Sequence, residues 1–462
     1  MHQVVMERGL AWLILAGTSS LMLPAVAAPP RTQLPTRMHE PAEEAIRVRV
    51  GHAAEPATGA SPDFVGSDGR VIQAALDFAA RFDTGSARAV VEVGPGRYPL
   101  SDSIHLRSGV ELRGVPGKTI LVLRPAVTSP LAADGDYGEE QITLAEPEGF
   151  AVGCGVLVEA DNVKYFHATV ARIIGRSGDT FVLDQPLRSD CLVTRNARAT
   201  TVFPGISGCD VERAGVEGFT VDGGGRGGPP IEGCRGAGIY LLRAHGTTIA
   251  GCEIRDFPGD GLSYQQSNDV TVRDTTALGN AGHGFHPGSG SQRTVMTRCR
   301  GEGNGLDGMF ICWRVKQGTF EGNSFTGNAR SGVSLGHKDT DNLIAGNTIT
   351  SNGADGILFR DELPAMAANR NRVLGNTIED NEGAGIRIRG STSGNEIRGN
   401  TIRGNTLRGD MARDTRSGGD HRHSVDVVVE PPATGNVIEG NTGEVPPAGL
   451  APPPRAPREE TR

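Results

Sequence analysis

The feature that most constrains this chain is a glycine followed by an apolar residue, recurring at Gly238, Gly261, Gly284, Gly308, Gly332, Gly356 and Gly385. The steps are 23, 23, 24, 24, 24 and 29 residues, and a near-fixed period of this size marks a solenoid. Immediately after the glycines come Ile239, Leu262, Phe285, Met309, Val333, Ile357 and Ile386. Two residues further on stand Leu241, Tyr264, Pro287, Ile311, Leu335, Phe359 and Ile388. That is strand alternation with one face buried, kept in phase from coil to coil. Four residues before the glycine sit Asn280, Asn304, Asn328, Asn352 and Asn381, and nine before it Asn323, Asn347 and Asn376. Identical amides stack and hydrogen-bond along a parallel array, so both columns read as structural.

Composition agrees with a fold of short strands and tight turns. The chain has 66 Gly among 462 residues and only 5% aromatics, poor material for a core of large side chains. Residues 1–27 read as an export signal, with the apolar run Leu10–Leu23 ahead of the small residues Ala25-Val26-Ala27. No later apolar run is long enough to span a membrane, so the mature chain is expected outside the cytoplasm, secreted or periplasmic. Residues 28–62 read as a flexible leader and 446–462 as a disordered tail. Formal net charge is -8, with no basic run interleaved with aromatics, which argues against nucleic acid as a partner. Seven cysteines is an odd number; Cys154 and Cys191 share one segment and are candidates for a disulfide. No CxxC pair or Cys/His cluster appears, which argues against structural zinc. Nothing in the sequence implies an obligate oligomer, and a monomer is expected.

Residues 63–130 hold a cap and the first coils. Asp68–Phe82 has helical apolar spacing after the cap candidates Ser67 and Asp68, followed by the alternating runs VVEVGPGRYPL and IHLRSGVELRGV. Residues 131–203 break the coil rhythm and read as a small antiparallel β insertion, either a groove wall or a decoration. Residues 204–445 are the repeats. The helix-then-strand opening resembles the N-terminal cap of pectate-lyase-like proteins. The repeat resembles the right-handed parallel β-helix of that superfamily, which includes polysaccharide lyases, mannuronan epimerases and polygalacturonases. The resemblance runs from about Asp68 to Asn441 and implies an all-β solenoid of about nine coils.

The unusual residues cluster at one phase of the coil. The segments SYQQS, HGFHPGSGS, FICWRVK, LGHKDTDN and LFRDE follow successive glycines, while the rest of each coil is plain. Stacked ~4.8 Å apart, they form one patch ~20 Å long. It contains Gln265, Gln266, His286, Ser289, Trp313, Arg314, His337, Lys338, Asp339, Arg360, Asp361 and Glu362, with Arg387 and Arg389 beyond. Clustered titratable groups and an exposed aromatic mark a ligand groove, and Trp313 suits a sugar ring. A basic groove on an acidic protein suits an anionic polymer.

On a uronate, the hard step is removing the proton beside the carboxylate, which needs charge neutralisation and a base. His337 is the expected base and Arg314 or Arg360 the carboxylate ligand. His286 (able to exchange roles with His337), Lys338 and Asp339 are supporting groups, and Gln265, Gln266, Ser289, Trp313 and Glu362 contact substrate. Gly282-His283-Gly284 with FHPGSGS resembles the GHG stretch of polygalacturonases, and Arg314-Val315-Lys316 their RIK. Their upstream aspartate motifs have no counterpart beyond Gly259-Asp260-Gly261. Phe285-His286-Pro287 resembles the DPH motif of mannuronan epimerases, with the first residue changed and His and Pro exchanged. Asp260, Asp307 and Asp355 precede glycines and read as turn residues. The leading expectation is a lyase or C5-epimerase. The alternatives are a glycoside hydrolase pairing Asp339 with Asp361 or Glu362, and a non-catalytic polysaccharide-binding or surface-structural solenoid. No cofactor is required, although Asp339, Asp341, Asp361 and Glu362 could bind Ca²⁺.

Overall fold

The computed structural model describes residues 44–54, 61–82, 88–225, 230–406 and 426–443. The export signal and the expected tail lie outside the described residues. Three long parallel sheets, one of 13 strands and two of 10, carry the coils. The glycine columns fall where the sequence places them. Ile239, Leu262, Phe285, Met309, Val333, Ile357 and Ile386 pair in register up one ten-stranded sheet. Every one of these side chains is fully buried. At ~1.5–3 kcal/mol for each large apolar side chain taken from water, this column is a principal source of stability. The sheet runs from Ile104–His105 to Val427–Val429, and we call it the site sheet.

The asparagine columns are hydrogen-bonded ladders. Nδ2 of Asn280, Asn304, Asn328, Asn352 and Asn381 donates to Oδ1 of the next member, ending on Asn405, at 2.8–3.0 Å. A second ladder joins Asn323, Asn347, Asn376, Asn400 and Asn441. A third, which the sequence reading missed, joins Asn342, Asn371, Asn395 and Asn436. Among the described residues no helix is long and apolar enough to cross a membrane.

At the N-terminal end the helix Gly69–Ala79 buries Ile72, Ala75, Leu76 and Ala79, and Asp68 caps it by accepting from the Arg70 amide. One boundary differs from expectation. Glu44–His52, within the segment read as leader, is a strand paired in parallel with Arg88–Val93. Its alternation Ile46, Val48, Val50 against Arg47 and Arg49 gives it one face for the core, and Val48 and Val50 are buried. The insertion is a six-stranded antiparallel sheet with its own core around Phe150, Val156, Ile173 and Phe181. A bridge between Leu131 and Leu144 joins its two edge strands, so the sheet closes into a small barrel. Cys191 lies in that core and Cys154 packs at its margin. Both are free thiols, so the disulfide suggested by the sequence is not formed.

Candidate functional site

The outward face of the site sheet brings together a chain of titratable groups. Asp260 and His286 lie one coil apart, and Asp260 Oδ2 is 2.7 Å from His286 Nδ1. Phe310 packs edge-on to His286 and stacks face-on with His283, with ring centroids 5.1 and 4.3 Å apart. Cys312 follows, its Sγ 3.0 Å from His337 Nδ1. The other ring nitrogen of His337 is 3.0 Å from Glu362 Oε1. The order is therefore Asp260, His286, Cys312, His337, Glu362, drawn from consecutive coils because strands stack every ~4.8 Å.

These contacts set the charges. Burial works most strongly against a charged His286, yet its hydrogen bond to Asp260 and the nearby Cys312 sulfur outweigh burial and push its pKa up to about 10. Burial likewise opposes the Cys312 thiolate, but the hydrogen bond with His337, the neighbouring His286 and the charge of Arg360 leave its pKa lowered. The same thiolate raises His337. Cys312 is thus shifted toward its thiolate, and His337 beside it toward its charged form.

The site is half roofed. The loop 230–236 lays Gly233 over the Asp260–His286 pair so closely that a Cβ there would overlap both side chains. Its carbonyl accepts from Ser263 Oγ at 2.6 Å and Gln265 Nε2 at 3.4 Å. His286 is 2% exposed and Gln265 equally buried. Trp313, by contrast, is 45% exposed, its ring centroid 5.1 Å from that of His337. The backbone turns through left-handed conformations at Gln266, Ser289, Trp313 and His337, and again at Arg314 and Lys338. The same left-handed turn recurs away from the site, at Asp256, Asp274, Arg298 and Ser351 among others, so it belongs to the coil geometry. The 29-residue step supplies the extra loop after Arg360 that carries Glu362 and Met366, whose carbonyl accepts from the Lys338 amide at 2.6 Å.

The remaining expected site residues are distributed unevenly. Arg360 is tied down: its guanidinium lies 4.4 Å over Phe310, donates to Ser334 Oγ and Ile311 O at 2.8 Å, and faces Asp339 at 3.5 Å. It braces the wall and is poorly placed to reach a substrate carboxylate. Asp339 exposes nothing; it accepts from the Val315 and Gly336 amides, and burial raises its pKa to about 6. Arg387 is spent on Asp355 and Glu430, and Arg389 on Glu430. The basic groove expected from the sequence therefore narrows to Arg314 and Lys338, which are exposed and, among the described residues, without carboxylate partners. Gln266 and Asp361 are exposed and Ser289 half-buried along the same edge. The suggested Ca²⁺ ligands do not converge, because Asp341 turns away to Arg370 at 2.8 Å and Asp339 is buried. Among the described residues no group of three or more His, Cys, Asp or Glu could hold a metal ion. Sequence reasoning missed Asp260, taken for a turn residue, and Cys312, whose type and phase were visible but whose partners were not.

Residues 216–442 match the family model described as periplasmic copper-binding protein (NosD). Among solved structures, the tailspike protein of Dettilon is 13% identical with a TM-score of 0.50, covering 82% of this chain and 60% of its own. This chain is a right-handed parallel β-helix repeat protein. The A-module of the Azotobacter vinelandii mannuronan C-5 epimerase AlgE4 is 19% identical, with a TM-score of 0.45, over 84% of this chain and 98% of that module. The periplasmic alginate epimerase AlgG is 15% identical, with a TM-score of 0.43, over 78% of each chain. No curated protein matches the chain. At these identities, what the β-helix shares with its structural neighbours is the fold.

Proposed function

We propose that the chain acts, outside the cytoplasm, on an acidic polysaccharide by abstracting the proton beside a uronate carboxylate, as a lyase or C5-epimerase does. One observation carries this reading: His337 stands half-exposed on the outer face against the exposed ring of Trp313, with Glu362 on its Nε2 and Cys312 on its Nδ1. A sugar ring packs on Trp313, and its carboxylate meets Arg314 and Lys338, whose charges no carboxylate among the described residues offsets. The imidazole becomes a base once it has lost the proton shared with Glu362, and Nε2 then takes the substrate proton. His286 and Asp260 form a buried pair behind the groove and do not touch substrate. The paired-carboxylate hydrolase is the weaker reading, because Asp339 is fully buried and leaves only Asp361 and Glu362 near the groove.

The matched family's description names copper. Thiolate and imidazole are donors a soft metal takes. Here, however, Cys312 Sγ and His337 Nδ1 are hydrogen-bonded to each other at 3.0 Å. That is closer than the ~3.5 Å that ~2.0 Å N and ~2.3 Å S bonds to one tetrahedral metal would set. The arrangement does not fit a resident metal.

The test is incubation of the mature protein with uronate, sulfated and neutral polysaccharides, reading unsaturated-uronate absorbance, reducing ends and residue configuration. Unsaturation or inversion on a uronate, abolished in His337→Ala, is the expected result. New reducing ends without unsaturation would replace this reading with the hydrolase, and binding without turnover would replace it with a binding module.

A further inference from the structure

A second feature of the same face lies toward its N-terminal end, where the barrel insertion leans over the sheet. A cleft of about 320 Å³ opens there, walled by Arg172 and Arg188 of the barrel, by His105 and Cys209 of the site sheet, and by Arg235 of the roofing loop. It belongs to the same outward columns as the Cys312 centre. Cys209 pairs in register with Leu242, Leu242 with Gln265, Gln265 with Gly288, and Gly288 with Cys312. Four strand spacings place the two ~19 Å apart on one wall.

The charges of the cleft are unbalanced in one place. Arg172 is answered by Asp102 and Asp184 at 3.5 and 3.6 Å. Arg188 and Arg235 have no carboxylate partner among the described residues. Arg235 is pinned by donating from Nε to the Phe166 carbonyl at 2.7 Å and from Nη1 to the Cys234 carbonyl at 3.3 Å. Both arginines also line an adjoining cavity, so they stand together on the ridge between the two. Burial and the neighbouring Arg188 charge both depress Arg235. A held Arg235 guanidinium with the exposed Arg188 guanidinium beside it at the rim of a cavity is a place for an anion. Beside them His105 Nε2 is 2.9 Å from Asp102 Oδ2, a polar pair suited to sugar hydroxyls.

We propose that this cleft is a second subsite of the groove, which holds a carboxylate-bearing sugar residue with its carboxylate between Arg188 and Arg235. The proposal rests on the acidic-polysaccharide reading for its ligand. It gives the insertion a role: the barrel supplies one half of the anion clamp and the roofing loop the other. A polymer long enough to span ~19 Å engages both the clamp and Trp313, whereas a single uronate engages one.

The experiment is calorimetric titration of the full chain, wild type and the Arg188→Ala/Arg235→Ala variant, with glucuronate, a long polyuronate and a neutral dextran. A second variant, Arg188→Lys/Arg235→Lys, keeps the charge and controls for folding. Expected are at least tenfold weaker polyuronate and glucuronate binding in the alanine variant, partial recovery with lysine, and no dextran binding by any form. Equal uronate binding by wild type and the alanine variant would overturn the clamp even if turnover is found. Binding lost in the alanine variant without turnover by wild type would keep the clamp and discard the catalytic reading. No uronate binding by wild type overturns the clamp outright.

Discussion

Replacing Asp260 by Asn tests the buried half of the site with a magnitude the structure supplies. Asn keeps an oxygen for the His283 amide, which donates to Asp260 Oδ1 at 2.7 Å, but it removes the anion beside His286. The imidazole's pKa rises from an ordinary 6.5 to about 10 in the fold. At ~1.36 kcal/mol for each tenfold change in proton affinity, that interval corresponds to about 5 kcal/mol. Because the folded value lies above the unfolded one, the stabilisation is fully present below about pH 6.5 and is lost as pH rises through about 10. His286 is 2% exposed, so solvent screens little of it. Asp260 shares the effect with Cys312, and the expected loss in Asp260→Asn is about 3–5 kcal/mol at pH 6, falling to about 1 kcal/mol at pH 9. Urea unfolding at the two pH values measures both numbers. A loss that is equal at pH 6 and pH 9, or absent at pH 6, would refute the buried ion pair.

Three further outcomes are expected. Cys312→Ser replaces the acidic thiol whose contact raises His337 by a far less acidic hydroxyl. The base must be neutral to act, so activity rises with pH, and the midpoint of kcat/KM against pH should move down in the variant; an upward or absent move would count against the assignment. Trp313→Ala should raise KM for a polyuronate roughly tenfold with kcat within about twofold, as expected for a platform that binds ground and transition states alike. Asn328→Ala deletes four hydrogen bonds, two accepted from Asn304 and two donated to Gly301 and Asn352. It should lower unfolding free energy by about 3–4 kcal/mol, against less than about 0.5 kcal/mol for the exposed Gln266→Ala.

The fold was legible because the inward face repeats. A residue such as Val333 must be apolar wherever a coil turns inward, so seven glycines and their followers mark the register from Gly238 to Ile388. Two of the three asparagine ladders were legible for the same reason. The third escaped because only Asn342 and Asn371 precede a marked glycine, each by 14 residues, while Gly318 holds that place one coil earlier and Asn395 and Asn436 lie beyond Gly385. The site was legible only as a place. His337, Trp313 and Arg314 could be located on one edge by phase. The partners that give them chemistry come from non-periodic pieces, namely the loop around Gly233 and the loop bearing Glu362. Sequence spacing holds no Cys/His cluster, yet stacking sets Cys312 between two imidazoles 26 residues before and 25 after it in the chain. Arg360, Arg387 and Arg389 look like free cations in sequence, because their counter-ions Asp339, Asp355 and Glu430 become neighbours only when coils stack.

The proposed chemistry requires that a carbon-bound proton leave its substrate at the Trp313–His337 face. A polyuronate carrying tritium at the carbon beside each carboxylate reports that event directly, whether elimination or epimerisation follows. The expected result is tritium released to water by the wild-type chain and not by His337→Ala. Retention of the label by the wild-type chain on every uronate polymer it binds would contradict the central claim.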